Sequence, residues 1–156
     1  MNWKEGLKRI ASIAEKANIE WWTTGSILLP LNGIEDDIKD VDFYFYEKDL
    51  ETVRNAFQDY IIEPIVCAGS RSETFKYNGL AYVECEVCLF SGLQDANDLP
   101  EPTHFGKYAE SNLLVYEWNG LKIKAPPIKL YVRTLEKWGK LERAQRIKNA
   151  LKERGK

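Results

Sequence analysis

Residues 23–45 have the sequence TTGSILLPLNGIEDDIKDVDFYF. The end of this stretch alternates acidic residues with apolar or aromatic ones, a period of two that predicts a β-strand. This alternation places Asp40 and Asp42 on one face of the strand and the apolar residues on the other. Two carboxylates on one strand face repel each other, and burying them without partners would be very costly. The pair therefore suits a divalent cation site, because Mg²⁺ takes oxygen ligands and is commonly held by carboxylates together with substrate phosphates.

A second acidic strand is predicted in the segment YVECEV, residues 82–87, where Glu84 and Glu86 again alternate onto one face. A third carboxylate near the aspartates would complete a two-metal arrangement, which positions a nucleophile for in-line attack on phosphorus. The residues do not separate Glu84 from Glu86, although the spacing from the turn signal Asn78-Gly79 slightly favours Glu84.

A candidate anion-binding turn precedes the aspartates. Gly25-Ser26 stands before SILLPL, which predicts a short helix ended by the stop signal Asn32-Gly33. Free backbone N–H groups and the helix dipole at such a start favour anions, and the Ser26 hydroxyl can donate to a phosphate oxygen. Lys39 is a further candidate for phosphate contact, although an isolated lysine usually lies in solvent.

These features together resemble a known family. Gly25-Ser26, a gap of thirteen residues, the acidic pair in DVDF and a later acidic strand are similar to the DNA polymerase β-like nucleotidyltransferase superfamily. The length and the C-terminal segment PPIKLYVRTLEKWGKLERAQRIKNALKERG resemble its small prokaryotic minimal nucleotidyltransferases.

The resemblance implies a role for each candidate residue. Gly25 and Ser26 would hold the phosphates of an NTP such as ATP, and Asp40 and Asp42 would ligate Mg²⁺ or Mn²⁺. Glu84 or Glu86 would be the third acid, a further metal ligand that activates the acceptor hydroxyl.

The implied activity is transfer of a nucleoside monophosphate from the NTP to a hydroxyl acceptor, with in-line attack and release of pyrophosphate. The sequence does not choose among three classes of acceptor: a small molecule such as an aminoglycoside-like sugar, a protein side chain, or an RNA end. The alternative is a catalytically weak nucleotide-binding or regulatory module of the same fold that works with a toxin–antitoxin-type partner.

The order of predicted elements is helix, strand, helix, hairpins and C-terminal helices, which indicates an α+β fold with a mixed β-sheet flanked by helices. We expect one domain over residues 1–156, with a core over about 1–125 and a helical tail over about 126–156. Hairpin turns are expected at Asn78-Gly79 and Asn119-Gly120. Pro64 indicates that its strand lies at a sheet edge or carries a bulge.

Composition narrows the class of protein. Hydrophobic residues make up 44% and charged residues 29%, and no apolar run approaches the ~20 residues of a membrane span. We therefore expect a cytoplasmic protein with no membrane partner, and a homodimer or a protein partner is possible. The net charge of −2 gives no strong signal for duplex nucleic acid. The single histidine, His104, is expected to be an ordinary surface residue of a Pro-rich loop.

Overall fold

The computed structural model describes residues 3–36, 38, 40–57, 61–66, 72–80, 83–90 and 102–155. The helices in these ranges are α1 (Trp3–Lys16), α2 (Leu28–Leu31), α3 (Leu50–Ala56), α4 (Lys107–Ser111), α5 (Ile128–Lys137) and α6 (Leu141–Arg154). The strands are β1 (Trp21–Thr24), β2 (Asp40–Tyr46), β3 (Ile61–Val66), β4 (Ser72–Leu80), β5 (Val83–Phe90), β6 (Leu114–Trp118) and β7 (Leu121–Ala125). Single 3-10 turns cover Gly25–Ile27 and Glu47–Asp49. The architecture is α+β, as the order of predicted elements indicated.

The chain forms two compact units. The first unit consists of Met1–Thr23 and Ile38–Leu93, and the second of Thr24–Asp37 and Gln94–Lys156. The single domain expected from the sequence stays a prediction. Within the described ranges, no helix combines the length and the apolar character that crossing a membrane requires.

The first unit contains a five-stranded sheet with the order β1-β2-β5-β4-β3. β2 and β5 are parallel, whereas β5 with β4 and β4 with β3 are antiparallel, so the sheet is mixed. β3 lies at the edge, and its register with β4 shifts between Ile61 and Glu63. The strand that contains Pro64 therefore has both features that proline predicted, an edge position and an irregular register.

Burial on one face of β2 holds this unit together. Phe43 and Phe45 are essentially inaccessible to solvent, and the rings of Phe45 and Phe57 lie 5.6 Å apart between centroids. The helices of this unit bury a matching set of apolar residues: Leu7, Ile10 and Ala14 of α1, and Val53 of α3. Burying a phenylalanine side chain contributes roughly 1.5–3 kcal/mol. Phe43 and Phe45 thus lie on a buried face of β2, and the aspartate positions lie on the other face, on which Tyr44 is also buried.

The β4–β5 hairpin is present, but the prediction that its turn lies at Asn78-Gly79 is wrong. Both residues belong to β4, and the register pairs Leu80 with Val83. The register also shifts between Tyr77 and Leu80, so Asn78-Gly79 falls in an irregular part of the ladder. A glycine inside a strand often marks such a bulge, which explains the false turn signal.

The second unit contains the β6–β7 hairpin, whose turn is the predicted one. Asn119 and Gly120 have φ of +49° and +82°, the positive values that a two-residue type I′ hairpin turn requires. The hairpin and helices α2, α5 and α6 share a buried cluster, and the Tyr116 hydroxyl donates to the carbonyl oxygen of Pro126 at 3.1 Å. The cluster contains Leu28, Leu29, Ala125, Ile128, Tyr131, Val132, Leu135, Ala144 and Ile147.

Helix α2 is one turn long and ends where the sequence predicted. Gly33 has φ +78°, and the N–H groups of Gly33 and Ile34 donate to the carbonyl oxygens of Pro30 and Leu29. This pair of bonds is a Schellman cap. Pro30 fits because it lies in the first turn, where its missing N–H would have no helical partner.

The segment after α2 is attached to the last helix. Arg143 of α6 donates to a carboxylate oxygen of Asp36 at 3.1 Å, and Arg146 lies 4.0 Å from the other oxygen. Arg154 donates to the carbonyl oxygen of Gly33 at 3.0 Å. The chain that leads from α2 towards β2 is therefore held by the C-terminal helix at both Gly33 and Asp36.

His104 is buried, so its interpretation as a surface residue is wrong. Only 6% of the residue is exposed, and its ring makes edge contacts with the rings of Phe105, Tyr131 and Trp138. Its Nδ1 has no hydrogen-bond partner among the described residues. This burial lowers the pKa of the imidazole to about 4, because the charged form loses its hydration.

The buried imidazole predicts a loss of stability in mild acid. The unfolded chain takes up this proton near pH 6.5 and the folded chain only near pH 4, so the free energy of unfolding falls as the pH drops through this window. At pH 5 this loss is about 2 kcal/mol relative to pH 7. Urea unfolding of the wild type and of His104→Phe at pH 7 and pH 5 measures it. The variant should lose markedly less stability, and an equal loss in both proteins would contradict the assignment.

Candidate functional site

The two acidic strands are direct neighbours in the sheet. β2 and β5 run parallel, with Asp40 opposite Glu84 and Asp42 opposite Glu86. Because alternate residues of a strand share a face, the four acidic positions form two adjacent pairs on one side of the sheet. The side chains of these four residues lie outside the described part of the structure. The structure thus brings together, at the level of the backbone, all four acids that the sequence proposed, and both glutamates remain candidates for the third acid.

On the same face of β2 as the aspartates, Tyr44 belongs to a stacked aromatic pair. Tyr44, two residues after Asp42, pairs in register with Cys88 and stacks on Trp22, with 4.5 Å between ring centroids and 19° between ring planes. Trp22 is 1% exposed. Its ring is therefore part of the packing of the sheet.

A lysine position extends the second acidic pair across the sheet. Lys76 of β4 is opposite Glu86 of β5 on one side and opposite Glu63 of β3 on the other. Opposite charges at paired positions of neighbouring strands are favourable, and like charges are unfavourable. Glu84 has Asp40 on one side, and on the other side it is next to the irregular part of β4. The two glutamates therefore differ in their surroundings, a distinction that only the strand register provides.

The Gly25-Ser26 turn follows directly from β1, the strand beside β2 in the sheet. Gly25 is buried with φ +88°, a left-handed conformation that strongly favours glycine, and Ser26 is half-buried. A 3-10 turn over Gly25–Ile27 leads into α2, so the predicted helix start is present. Because α2 has four residues, a phosphate here would be bound through backbone N–H groups and the Ser26 hydroxyl more than through a helix dipole.

Thr24 has an unusual role at the start of this turn. It occupies the N-cap position, where a threonine side chain normally accepts from the first backbone N–H groups, yet it makes no capping bond within the described residues. Its hydroxyl instead donates to the carbonyl oxygen of His104 at 2.6 Å, and the bond is buried. No local sequence pattern indicates this contact, because 80 residues separate the partners.

The predicted phosphate contact of Lys39 and the predicted metal site are not seen in the described part of the structure. Lys39 lies outside the described residues. In the described part of the chain, no three histidine, cysteine, aspartate or glutamate side chains are close enough to bind one metal ion. The side chains of the four strand acids lie outside that part, and their residue types are the oxygen donors that Mg²⁺ prefers.

No family model and no curated protein matches the sequence. Solved structures do match. A candidate nucleotidyltransferase from Thermotoga maritima, TM1012, is 17% identical with a TM-score of 0.62, over 98% of this chain and 96% of that one. The lincomycin-bound lincosamide antibiotic adenylyltransferase LnuA is 17% identical with a TM-score of 0.57, over 83% and 82%. The antibiotic-resistance factor ANT(2″)-Ia is 11% identical with a TM-score of 0.53, over 86% and 70%. The chain therefore has the fold of the nucleotidyltransferase superfamily.

Proposed function

We propose that this protein transfers a nucleoside monophosphate from an NTP to a hydroxyl acceptor and releases pyrophosphate. The observation that carries the proposal is the register that sets Asp40 against Glu84 and Asp42 against Glu86 on parallel neighbouring strands of a nucleotidyltransferase fold. A face with four acidic positions is a poor surface for packing, whereas it offers many oxygen donors for divalent cations.

The proposed reaction divides the work among the candidate residues. Gly25 and Ser26 contact the phosphates of the NTP, and Lys39 contributes a further phosphate contact. The acceptor oxygen attacks the α-phosphorus, a new P–O bond forms, the bond to the β-phosphate bridging oxygen breaks, and pyrophosphate leaves. The third acid takes the proton of the acceptor hydroxyl. Asp40 and Asp42 would ligate Mg²⁺ or Mn²⁺, which when bound offsets the negative charge of the phosphates and aligns the reacting groups.

Glu84 is the better candidate for the third acid. Lys76 is paired in register with Glu86, so Glu86 has a counter-charge within the sheet. Among the described residues, the register partner of Glu84 is Asp40, and Glu84 borders the irregular part of β4; bulges are common next to active sites. We therefore assign Glu84 to the metal and the acceptor hydroxyl, and Glu86 to a structural pair with Lys76.

One structural neighbour indicates which donor and which acceptors to test first. LnuA is named as an adenylyltransferase of lincosamide antibiotics, which supports ATP as the first donor to test and small hydroxylated molecules as the first acceptors. Protein side chains and RNA ends follow in the screen. A weak nucleotide-binding module with a toxin–antitoxin-type partner stays the alternative, and nucleotide binding without pyrophosphate release would favour it. The cytoplasmic location and the homodimer also stay predictions.

Asp42→Asn tests whether the acidic face serves a metal or the fold. The change removes one of the repelling charges and keeps the side-chain shape, so the metal-free variant should melt at the same temperature as the wild type or slightly higher. At a hundredfold excess over its Kd, Mg–NTP should stabilise the wild type by about 2.7 kcal/mol, or roughly 5–10 °C. The variant should lose this increase and any transfer activity.

Thermal melts of both proteins, without ligand, with Mg²⁺ and with each Mg–NTP, measure the effect. Asp49→Asn is a matched control, because Asp49 lies in the 3-10 turn after β2 and not on the acidic face. A wild-type-like response to Mg–NTP in Asp42→Asn, or a clear loss of stability without metal, would show that Asp42 is a structural residue.

A comparison of Glu84→Gln with Glu86→Gln tests the assignment of the third acid. Glu84→Gln should reduce pyrophosphate release by at least about a hundredfold, the lower end of a general-base contribution. Glu86→Gln should keep most of the activity and lose about 0.2–1 kcal/mol of stability, as expected for one cross-strand charge pair. Lys76→Met should then resemble Glu86→Gln. The reverse result would exchange the two roles.

A further inference from the structure

We propose that the segment Pro102–Gly106 is a clip that holds the Gly25–Ile27 turn in its nucleotide-binding conformation, with Thr24 and Thr134 as positioning residues. This inference rests on the proposed function, because it assigns the turn to the nucleotide phosphates. All of its contacts lie within the second unit.

The first contact is the bond from the Thr24 hydroxyl to the carbonyl oxygen of His104, 2.6 Å long and buried. Thr24 has an extended backbone and is 2% exposed. A buried hydroxyl bond of this kind contributes about 1 kcal/mol and restricts the rotamer and the backbone of its residue. Gly25 is the next residue and has a left-handed backbone conformation, with φ +88°. The bond therefore fixes the chain just before the turn begins.

The other side of the clip is attached to α5. The N–H of His104 donates to the Thr134 hydroxyl at 3.2 Å, and this hydroxyl donates to the carbonyl oxygen of Leu130 at 2.9 Å. Arg133 donates to the carbonyl oxygen of Pro102. Thr134 is fully buried, and α5 is part of the buried cluster that also contains Leu28 and Leu29. The peptide groups of His104 thus connect the start of the turn to a well-packed helix.

The clip is itself closed by a local bond. The Thr103 hydroxyl, which is fully buried, accepts from the N–H of Gly106 at 2.9 Å. The His104 ring packs among Phe105, Tyr131 and Trp138, which restrains the peptide groups on either side of it. The backbone of Pro102–Gly106 is therefore held in place by its own side chains as well as by α5.

The position of the Thr24 hydroxyl links the clip to phosphate binding. A threonine that capped the turn would use its oxygen to accept from the turn's own N–H groups. Among the described residues Thr24 makes no such bond, and its bond to the carbonyl oxygen of His104 holds the hydroxyl in that position, so it does not compete with a phosphate for those N–H groups. The clip both orders the turn and keeps the capping oxygen away from the proposed anion site.

Loss of the clip should lower the fraction of molecules in which the turn is ready to bind. The apparent Kd rises as the inverse of that fraction, so a fall to about one tenth raises Kd about tenfold. We expect Thr24→Val and Thr134→Val each to raise the Kd of Mg–NTP about tenfold. The double variant should raise Kd little more than either single variant, because both bonds hold the backbone of one residue, His104. Thr24→Ser keeps the hydroxyl and should bind almost as the wild type does.

The experiment measures Mg–NTP titrations with each of the four ribonucleoside triphosphates, together with amide hydrogen exchange of residues 25–28 in the free proteins. Tyr116→Phe is the control: it removes the hydrogen bonds of the Tyr116 hydroxyl with the carbonyl of Pro126 and with the Asn32 side chain in the same unit, and it leaves both bonds to His104 in place. Faster exchange at the turn and weaker binding in Thr24→Val, with both near wild type in Thr24→Ser and Tyr116→Phe, would support the clip.

The failures are distinct. If the wild type binds an NTP and Thr24→Val binds it equally well, or if Tyr116→Phe weakens binding as much as Thr24→Val does, the clip is overturned and the proposed function stands. Unchanged exchange at residues 25–28 in Thr24→Val also overturns the clip, whether or not a nucleotide binds. If the wild type binds none of the four NTPs, the proposed function fails, and the clip loses its assigned role in nucleotide binding.

Discussion

The pairing of like charges across β2 and β5 is the constraint on which the proposed site depends. Paired positions on neighbouring strands are about 4.8 Å apart, and two unit charges near 4 Å repel by about 1 kcal/mol in water and about 4 kcal/mol near a protein surface. A favourable cross-strand pair contributes only roughly 0.2–1 kcal/mol, so the acidic face cannot hold the two strands together. The parallel backbone ladder pairs the strands, and the buried rings of Phe43 and Phe45 on the opposite face of β2 stabilise the sheet. The sheet can therefore keep an unfavourable acidic face, and a cation on that face would remove its main electrostatic cost.

The candidate residues are divided between the two units. The acidic strands belong to the first unit, whereas the Gly25-Ser26 turn, α2 and the chain up to Asp37 belong to the second. Within the second unit that stretch is held at several points: at Thr24 by the clip, at Leu28 and Leu29 by the buried cluster, and at Asp36 by Arg143. The C-terminal helices thus hold the segment that begins with the proposed phosphate-binding turn.

The sequence predicted those features that neighbouring residues determine. The strand at DVDFYFY, the Schellman cap at Gly33 and the hairpin turn at Asn119-Gly120 each follow from local periodicity or from a required positive φ. The wrong predictions concern features that depend on contacts between residues far apart in the sequence. Asn78-Gly79 has the composition of a turn, yet the ladder with β5 runs past it. His104 lies in a Pro-rich segment typical of a surface loop, and its burial depends on partners 30 and 80 residues away. For the site, alternation identified the acidic positions, and the strand register then gave Glu84 and Glu86 different partners, on which the proposed assignment rests.

The thirteen residues between Ser26 and Asp40 acquire a physical meaning from these contacts. A gap of fixed length in a motif suggests a simple spacer, but a flexible spacer would tolerate changes in length at little entropic cost. Here the gap contains one helical turn, a left-handed glycine cap and an aspartate bound by two arginines. The Arg154 guanidinium lies where a Gly33 side chain would begin, so the glycine serves both the cap and the contact with α6. Each of these contacts fixes one point of the path up to Asp36, and inserting or deleting a residue between Leu28 and Asp36 would break at least one of them. The packing of the second unit therefore sets most of the spacing between the turn and the aspartates.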